Sequence, residues 1–201
     1  MAGGVWWVVF DFGEVLSRRT EALGSIAAGL GVALDDFERR YWGGRRVYDA
    51  GQPDAEYWSA VAGRALDSDT VSGLVAADSL GWLRMDPGST ALLRDLHAAE
   101  VPLALLSNAP VSFRAFVEAE PWSACFRARV FSGDLGVVKP DPRIYAAVTE
   151  RLGASPSQVI FFDDRVENVD GARAFGWTAH QWKGAESARA RVAGLLDRAG
   201  A

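Results

Sequence analysis

The sequence feature that most constrains the fold is the apolar run over residues 5–10, which ends abruptly at Asp11 and Gly13. Continuous apolar runs rich in β-branched and aromatic residues are typical of strands covered on both faces, as in a parallel sheet. An acid at the end of such a strand lies at the edge of the sheet, where a crevice can open. The segment 8–16 (VVFDFGEVL) therefore predicts that Asp11 carries the reactive group of an enzyme.

The composition limits the remaining possibilities. A chain of 201 residues with 49% hydrophobic and 23% charged residues fits one globular domain, with room for a modest insertion. The only cysteine, Cys125, excludes an internal disulfide and a cysteine metal site. With a net charge of −5 and no basic block, we expect no nucleic-acid partner. No signal peptide or apolar membrane span stands out, so we expect a cytoplasmic protein. We also expect a monomer or a weak homodimer.

The order of the predicted elements indicates an α/β fold with a helical insertion. Residues 17–86 show helical spacing of apolar positions, which predicts about four short helices and no strand. Beyond residue 86, helices alternate with strands, a pattern typical of a doubly wound parallel sheet. We predict strands over 101–106, 130–132, 159–162 and 177–181, and helices over 89–99, 110–118, 142–152, 166–175 and 185–199. This divides the chain into an α/β core (1–16 and 87–201) and a helical cap (17–86).

Polar residues stand at the ends of three predicted strands: Asp11, then Ser107 with Asn108, then Asp163 with Asp164. In open parallel sheets ligands bind outside the carboxyl ends of the strands, so these residues face one crevice. Lys139 follows another predicted strand and can reach the same edge. Each residue alone has an ordinary structural explanation, such as a turn, a surface lysine or a helix start, but the ordered combination indicates a site.

The chemistry of that combination favours phosphoryl transfer. Asp11 and Asp164 would repel each other across a small crevice unless a cation lies between them. Mg²⁺ is the natural choice because it prefers carboxylate and phosphate oxygens. Ser107 offers a hydroxyl and Lys139 a positive charge to a phosphate group. With one carboxylate free to attack, the site predicts an aspartyl-phosphate intermediate.

Four segments carry a resemblance to a known family: 8–13 (VVFDFG), 105–108 (LLSN), 138–145 (VKPDPRIY) and 160–168 (IFFDDRVEN). Over nearly its whole length the chain resembles the haloacid dehalogenase (HAD) superfamily, in particular the branch of bacterial α-D-glucose-1-phosphate phosphatases. The resemblance implies a Rossmann-like α/β core with a small all-helical cap. It also implies a Mg²⁺-dependent phosphatase acting on a small phosphorylated metabolite.

The resemblance implies a role for each motif residue. Asp11 would be the nucleophile, while Ser107 and Lys139 would hold the phosphoryl group, with backbone N–H groups near Phe12 and Gly13. Asp11, Asp164 and the Gly13 carbonyl would bind Mg²⁺. The remaining residues of the predicted site would line or support it: Asn108, Asp163, Asn168 and Glu14.

Gly13 departs from the family pattern. Most family phosphatases carry at that position an aspartate that protonates the leaving group, a contribution of about 10²–10⁴-fold. Glu14 is adjacent, and four cap residues could supply a proton or bind substrate: Tyr41, Arg45, Arg46 and Tyr48. Trp42 could line the pocket from the cap. A substrate with an easy leaving group, such as an anomeric sugar phosphate or an acyl phosphate, would need less help.

Two other functions stay open at this point. One is metal-independent 2-haloacid dehalogenation, whose enzymes also lack the second aspartate but do not keep an acidic pair such as Asp163 and Asp164. The other is a catalytically weak binding or regulatory protein, against which intact Asp11, Lys139 and Asp164 argue.

His97 and His180 lie away from the motifs, so we expect surface or packing roles for both.

Overall fold

The computed structural model describes residues 6–199, and the side chains as far as residue 194. At its centre lies a parallel sheet in the order β3-β2-β1-β4-β5. Its strands are β1 (Trp7–Phe10), β2 (Leu103–Ser107), β3 (Ala128–Phe131), β4 (Val159–Asp163) and β5 (Thr178–Gln181). The chain winds outward from β1 to β3 and then crosses back to β4. The predicted doubly wound α/β sheet is confirmed.

Helices cover both faces of the sheet, which explains why β1 is apolar without alternation. They are α5 (Pro87–Ala98), α6 (Phe113–Ala119), α7 (Ser132–Leu135), α8 (Pro142–Leu152), α9 (Val166–Phe175) and α10 (Ala185–Ala199). Val8 and Phe10 pack into the core beneath α5 and α10, and Val9 packs into the opposite core beneath α8 and α9. The two faces bury all three side chains completely or nearly so.

Between β1 and α5 lie four helices, as predicted: α1 (Leu23–Leu30), α2 (Leu34–Tyr48), α3 (Asp54–Ala62) and α4 (Ser68–Trp82). They enclose an apolar core of their own, built around buried aromatic side chains such as Tyr41, Tyr57 and Trp58. This insertion leaves and rejoins the sheet at one place, where Ser17 and Met85 form an antiparallel bridge. The four helices are thereby held over the carboxyl end of β1.

A few boundaries differ from the prediction. The apolar run was predicted from Val5, which lies outside the described residues. β3 begins two residues earlier than predicted, and Ser132 starts the short helix α7 instead of ending the strand. Helix α6 starts at Phe113 and not at Pro110. Among residues 6–199, no helix has both the length and the apolar character that a membrane crossing requires.

Candidate active site

The predicted site residues converge at the carboxyl edge of the sheet. Phe10 pairs with Leu105 of β2 and with Phe162 of β4, so the three central strands end almost level. Asp11, Ser107 and Asp163 therefore stand side by side. A cavity of about 480 Å³ opens above them. It is lined by most of the predicted site residues: Asp11, Phe12, Gly13, Glu14, Ser107, Asn108, Lys139, Asp164 and Asn168.

Lys139 is the buried cation of the site. Its Nζ lies 2.7 Å from Asp11 Oδ1 and 2.7 Å from Asp163 Oδ2, and it donates a hydrogen bond of 3.1 Å to the Leu106 carbonyl. Burial opposes its charge, but the carboxylates of Asp11 and Asp163 outweigh burial and raise its pKa. A permanent positive charge therefore lies beside one oxygen of Asp11.

Asn108 holds the main chain of Lys139 in place. Its Nδ2 donates to the Lys139 carbonyl at 3.2 Å, and its Oδ1 accepts from the Lys139 N–H at 2.9 Å. Both functional groups of the Asn108 amide are thus used within the protein. Although Asn108 lines the cavity, its observed contacts are those of a residue that positions Lys139.

Asp163 lies behind the cavity wall and not in its lining. Its side chain is fully buried and accepts hydrogen bonds from Lys139, from Asn168 Nδ2 at 3.0 and 3.1 Å, and from the Arg165 N–H at 2.9 Å. Tyr145 in turn donates to the Asn168 carbonyl at 2.8 Å. Asp163 and Asn168 therefore form a buried network that orients Lys139.

Asp164 is placed differently from Asp163. It is half-buried, and none of the side chains that the structure describes forms a hydrogen bond or ion pair with its carboxylate. Burial raises its pKa to about 6, and the neighbouring Asp163 adds to the effect. One oxygen each of Asp11, Asp163 and Asp164 lies within 4.8 Å of the others.

Asp11 is also an acid held in an unfavourable environment. Burial raises its pKa above the ordinary value; Lys139 opposes this effect, and Asp163 and Asp164 reinforce it. A second cation between Asp11 and Asp164 would relieve this repulsion. Both carboxylates line the cavity, so the donor set fits a hard divalent cation such as Mg²⁺.

Gly13 has a side-chain neighbour that the sequence did not reveal. A Cβ atom at Gly13 would lie 3.4 Å from the ring of Trp82, the last residue of α4. The aromatic ring therefore stands where a longer side chain at position 13 would project. Trp82 also lines the cavity, and its Nε1 donates to the Tyr41 hydroxyl at 3.1 Å.

The roof of the cavity comes mainly from the C-terminal half of α2. Trp42, Arg45 and Arg46 line it, as does Asp49, which follows the helix. Arg45 Nε lies 2.9 Å from Asp49 Oδ1, and Arg45 Nη1 lies 3.0 Å from Asp78 Oδ2. Sequence reasoning missed Asp49. An acid at the C-terminal end of a helix is unfavourable because the helix dipole is negative there. The position of Asp49 directly after α2 is the sequence feature that could have identified it.

The two candidate tyrosines do not line the cavity. Tyr41 is buried in the helical core and donates to Asp78 at 2.7 Å, and Tyr48 donates to Asp54 at 2.5 Å. Arg45 and Arg46 do line it, but a guanidinium group keeps its proton and is a poor acid. None of these four residues is therefore placed to supply a proton.

The sequence is similar to those of known hydrolases. The family model for haloacid dehalogenase-like hydrolases matches residues 7–176. Phosphatase MT3486 of Mycobacterium tuberculosis is 31% identical over 86% of this chain and 85% of its own length. (S)-2-haloacid dehalogenase 4A of Burkholderia cepacia is 32% identical, over 45% of this chain and 40% of its own.

A solved structure shares the fold. It is a HAD family enzyme from Bacteroides thetaiotaomicron, an aspartate-to-alanine mutant in complex with magnesium and inorganic phosphate. It is 20% identical, with a TM-score of 0.72 over 90% of this chain and 95% of its own. The family match spans most of the chain and all four sequence motifs. The chain therefore belongs to the haloacid dehalogenase-like hydrolases.

Proposed function

We propose that the protein is a Mg²⁺-dependent phosphatase that hydrolyses a small phosphorylated metabolite through an aspartyl-phosphate. The observation that carries this proposal is the placement of Asp11 between a buried cation, Lys139, and a second carboxylate, Asp164, which has no described side-chain partner. The similarity to a mycobacterial phosphatase and the fold shared with an enzyme that binds magnesium and phosphate support it.

Asp11, Asp164 and the Gly13 carbonyl would hold the metal. When bound, Mg²⁺ supplies positive charge to the phosphoryl oxygens. The remaining chemistry belongs to the chain. A carboxylate oxygen of Asp11 forms a bond to phosphorus, and the bond from phosphorus to the leaving oxygen breaks. Lys139, Ser107 and the backbone N–H groups near Phe12 and Gly13 stabilise the charge on the other phosphoryl oxygens.

Water then attacks the aspartyl-phosphate, which releases phosphate and restores the Asp11 carboxylate. We propose that residues 17–86 act as a cap over a core formed by residues 1–16 and 87–201. Closing the cap excludes bulk water during this step and sets specificity. A cavity of about 480 Å³ suits a small metabolite, with a sugar phosphate as our preferred class.

Phosphate release tests the proposal directly. A panel of sugar, acyl, alkyl and aryl phosphates is assayed with Mg²⁺ and with a chelator, for the wild type and Asp11→Asn. We expect activity only with metal, and a loss of at least about 10³-fold in Asp11→Asn because the nucleophile is gone. Asp170→Asn on the exposed face of α9 is the matched control and should keep wild-type rates. Metal-independent phosphate release, or full activity in Asp11→Asn, would disprove the mechanism.

The dehalogenase alternative is tested in parallel. It is favoured by the haloacid dehalogenase relative and by the missing acid at Gly13. Halide release from both enantiomers of 2-chloropropionate is measured in the presence of a chelator. We expect none, because in the proposed mechanism Asp11 and Asp164 hold a metal ion. Halide release that depends on Asp11 and needs no metal would replace the phosphatase proposal.

A further inference from the structure

This inference rests on the proposed phosphatase function and concerns the proton that the leaving oxygen needs. Gly13 offers no side chain for it. The Trp82 ring, 3.4 Å from where a Cβ atom would be, occupies the adjoining space. The sheet edge therefore supplies the nucleophile and the binding groups but no acid at the usual position. Another group in the cavity lining must carry the proton.

Apart from Asp11 and Asp164, three acids line the cavity: Glu14, Asp49 and Glu167. Glu167 is exposed and paired with Arg165, and its pKa is lowered, so it does not hold a proton near neutral pH. Glu14 is exposed to solvent and lies close enough to Asp164 to raise the pKa of that residue. Asp49 alone combines burial with a place in the roof.

Two contacts to the core fix the position of Asp49. Its carbonyl accepts a hydrogen bond of 2.5 Å from Ser132 Oγ, which itself accepts one of 2.9 Å from the Ala109 N–H. Ala109 lies in the loop that follows β2, two residues after Ser107. Gly51, with φ of +100°, packs so closely that a Cβ there would lie 2.8 Å from the Gly133 carbonyl oxygen. The cap segment that carries Asp49 is thus docked beside the loop that follows β2.

The surroundings of Asp49 stabilise its protonated form more than water does for an exposed aspartate. Arg45 is shared between Asp49 and the buried Asp78, so one positive charge faces two carboxylates. Only Oδ1 of Asp49 accepts a hydrogen bond from the described residues, and Oδ2 is left for a proton. Burial raises the pKa of Asp49 to about 6, against the effect of Arg45. The charged and titratable groups around it are Tyr41, Arg45 and Arg46 of α2, Tyr57 of α3, Asp78 of α4, and Lys139 below.

We propose that Asp49 is the general acid and base of the reaction, delivered from the cap. As Asp11 attacks, the bond from phosphorus to the leaving oxygen breaks and the Asp49 proton moves to that oxygen. Asp49 is then a carboxylate. It takes a proton from the water that attacks the aspartyl-phosphate, so phosphate leaves and Asp49 is protonated again. Protons and bonds balance over the cycle, and the acid acts only when the cap is docked.

A leaving-group series separates this role from a structural one. The kcat/KM of the wild type and of Asp49→Asn is measured on phosphate monoesters that range from aryl to alkyl alcohols. Since alkyl leaving groups need a proton and nitrophenolate does not, we expect Asp49→Asn to lose about 10²–10⁴-fold on alkyl esters and under about tenfold on the nitrophenyl ester. The fall of kcat/KM at high pH should also disappear in the variant.

Control variants make the outcome decisive. Asp35→Asn, at the exposed start of α2, should behave as wild type, and Asp49→Ser provides a second test should the amide disturb folding. A uniform loss across the series in both Asp49 variants would overturn the proposal. The proposal would also be overturned if Glu14→Gln, and not the Asp49 variants, lost activity selectively on alkyl esters. A wild type that releases no phosphate refutes the proposed function itself, whereas an active wild type with unchanged selectivity in Asp49→Asn refutes only this inference.

Discussion

At the scale of single residues, the site depends on one buried lysine placed between two carboxylates. Lys139 has no solvent exposure in its side chain, and it touches Asp11 and Asp163 at 2.7 Å each. Removing one member of a buried ionic group leaves the others unpaired in a region of low polarity. Lys139 therefore contributes to stability, in addition to the role proposed for it in the reaction.

We predict that Lys139→Met lowers the free energy of unfolding by about 3–5 kcal/mol, the usual cost of breaking a buried pair. Urea unfolding followed by circular dichroism measures it. Lys183, the only other lysine in the sequence, is exposed, and Lys183→Met is the matched control. Adding Asp11→Asn to Lys139→Met should restore part of the loss because one unpaired charge disappears. An unchanged unfolding free energy in Lys139→Met would contradict this reading of the site.

Asp49 gives a prediction for the pH dependence of stability. Its pKa is about 6 in the folded protein and about 3.9 in an unfolded chain, so the folded state binds more protons between these values. Stability that is fully present below pH ~4 is then lost as pH rises through ~6. The free energy of unfolding of the wild type, relative to Asp49→Asn, should fall by up to about 3 kcal/mol over this range. Parallel pH profiles for the two proteins would count against the raised pKa.

At the scale of elements, the contact between the end of α2 and the start of α7 joins the four-helix insertion to the part of the chain that forms the sheet. Ser132 is fully buried, and its hydroxyl bridges the Asp49 carbonyl and the Ala109 N–H. It therefore connects the end of α2 to the loop that follows β2. Nearby, Ser112 Oγ donates to Asp54 of α3 at 2.8 Å.

We predict that Ser132→Ala destabilises the protein by about 1–3 kcal/mol, because both buried partners lose their hydrogen bond. The same change should lower kcat/KM more strongly on alkyl than on nitrophenyl phosphate, since it loosens the segment that carries Asp49. Thermal unfolding and the leaving-group series measure the two effects. Ser72→Ala on the exposed face of α4 is the control. Stability loss without a change in substrate selectivity would show that Ser132 does not position Asp49.

The strands that were predicted best from the sequence are those with apolar neighbours on both faces. β1 and β4 lie inside the sheet between two apolar layers, so an unbroken apolar run identifies them. β3 has a neighbour on one side only and carries a polar residue, Arg129, whose guanidinium donates to the carbonyls of Ser123 and Phe126 at 3.0 Å. An arginine within a strand interrupts the apolar pattern that identifies a strand in the sequence. The predicted β3 therefore starts two residues too late.

At the scale of the whole molecule, one part of the site could be predicted from the sequence and another part could not. The residues of its floor follow strands in sequence, so their meeting could be predicted from the strand order. The residues of its roof meet only because helices far apart in the chain pack together. Tyr41 joins Trp82 and Asp78, which lie about forty positions away, and Asp49 reaches the core through Ser132. No local pattern encodes these contacts, so the sequence could show that an acid was missing at Gly13 but not which residue is placed to replace it.

The stability of the folded protein should also depend on the proposed metal ion. In the absence of a divalent cation, burial and repulsion raise the pKa values of Asp11 and Asp164, to about 6 for Asp164. Both acids thus take up protons on folding, and stability is lost as pH rises through this range. A cation that binds only the folded site stabilises it by RT ln(1 + [L]/Kd), about 2.7 kcal/mol at a hundredfold excess over Kd.

We therefore predict that Mg²⁺ raises the free energy of unfolding and that the gain grows between pH ~5 and ~7, as the two acids ionise. Urea unfolding in Mg²⁺ and in chelator, at several pH values, measures the gain. Asp164→Asn should lose most of it because a ligand is missing, whereas Asp170→Asn on the exposed face of α9 should keep it. Since no turnover is involved, the result is independent of the substrate. Equal unfolding in Mg²⁺ and in chelator at neutral pH would mean that these carboxylates do not form a metal site.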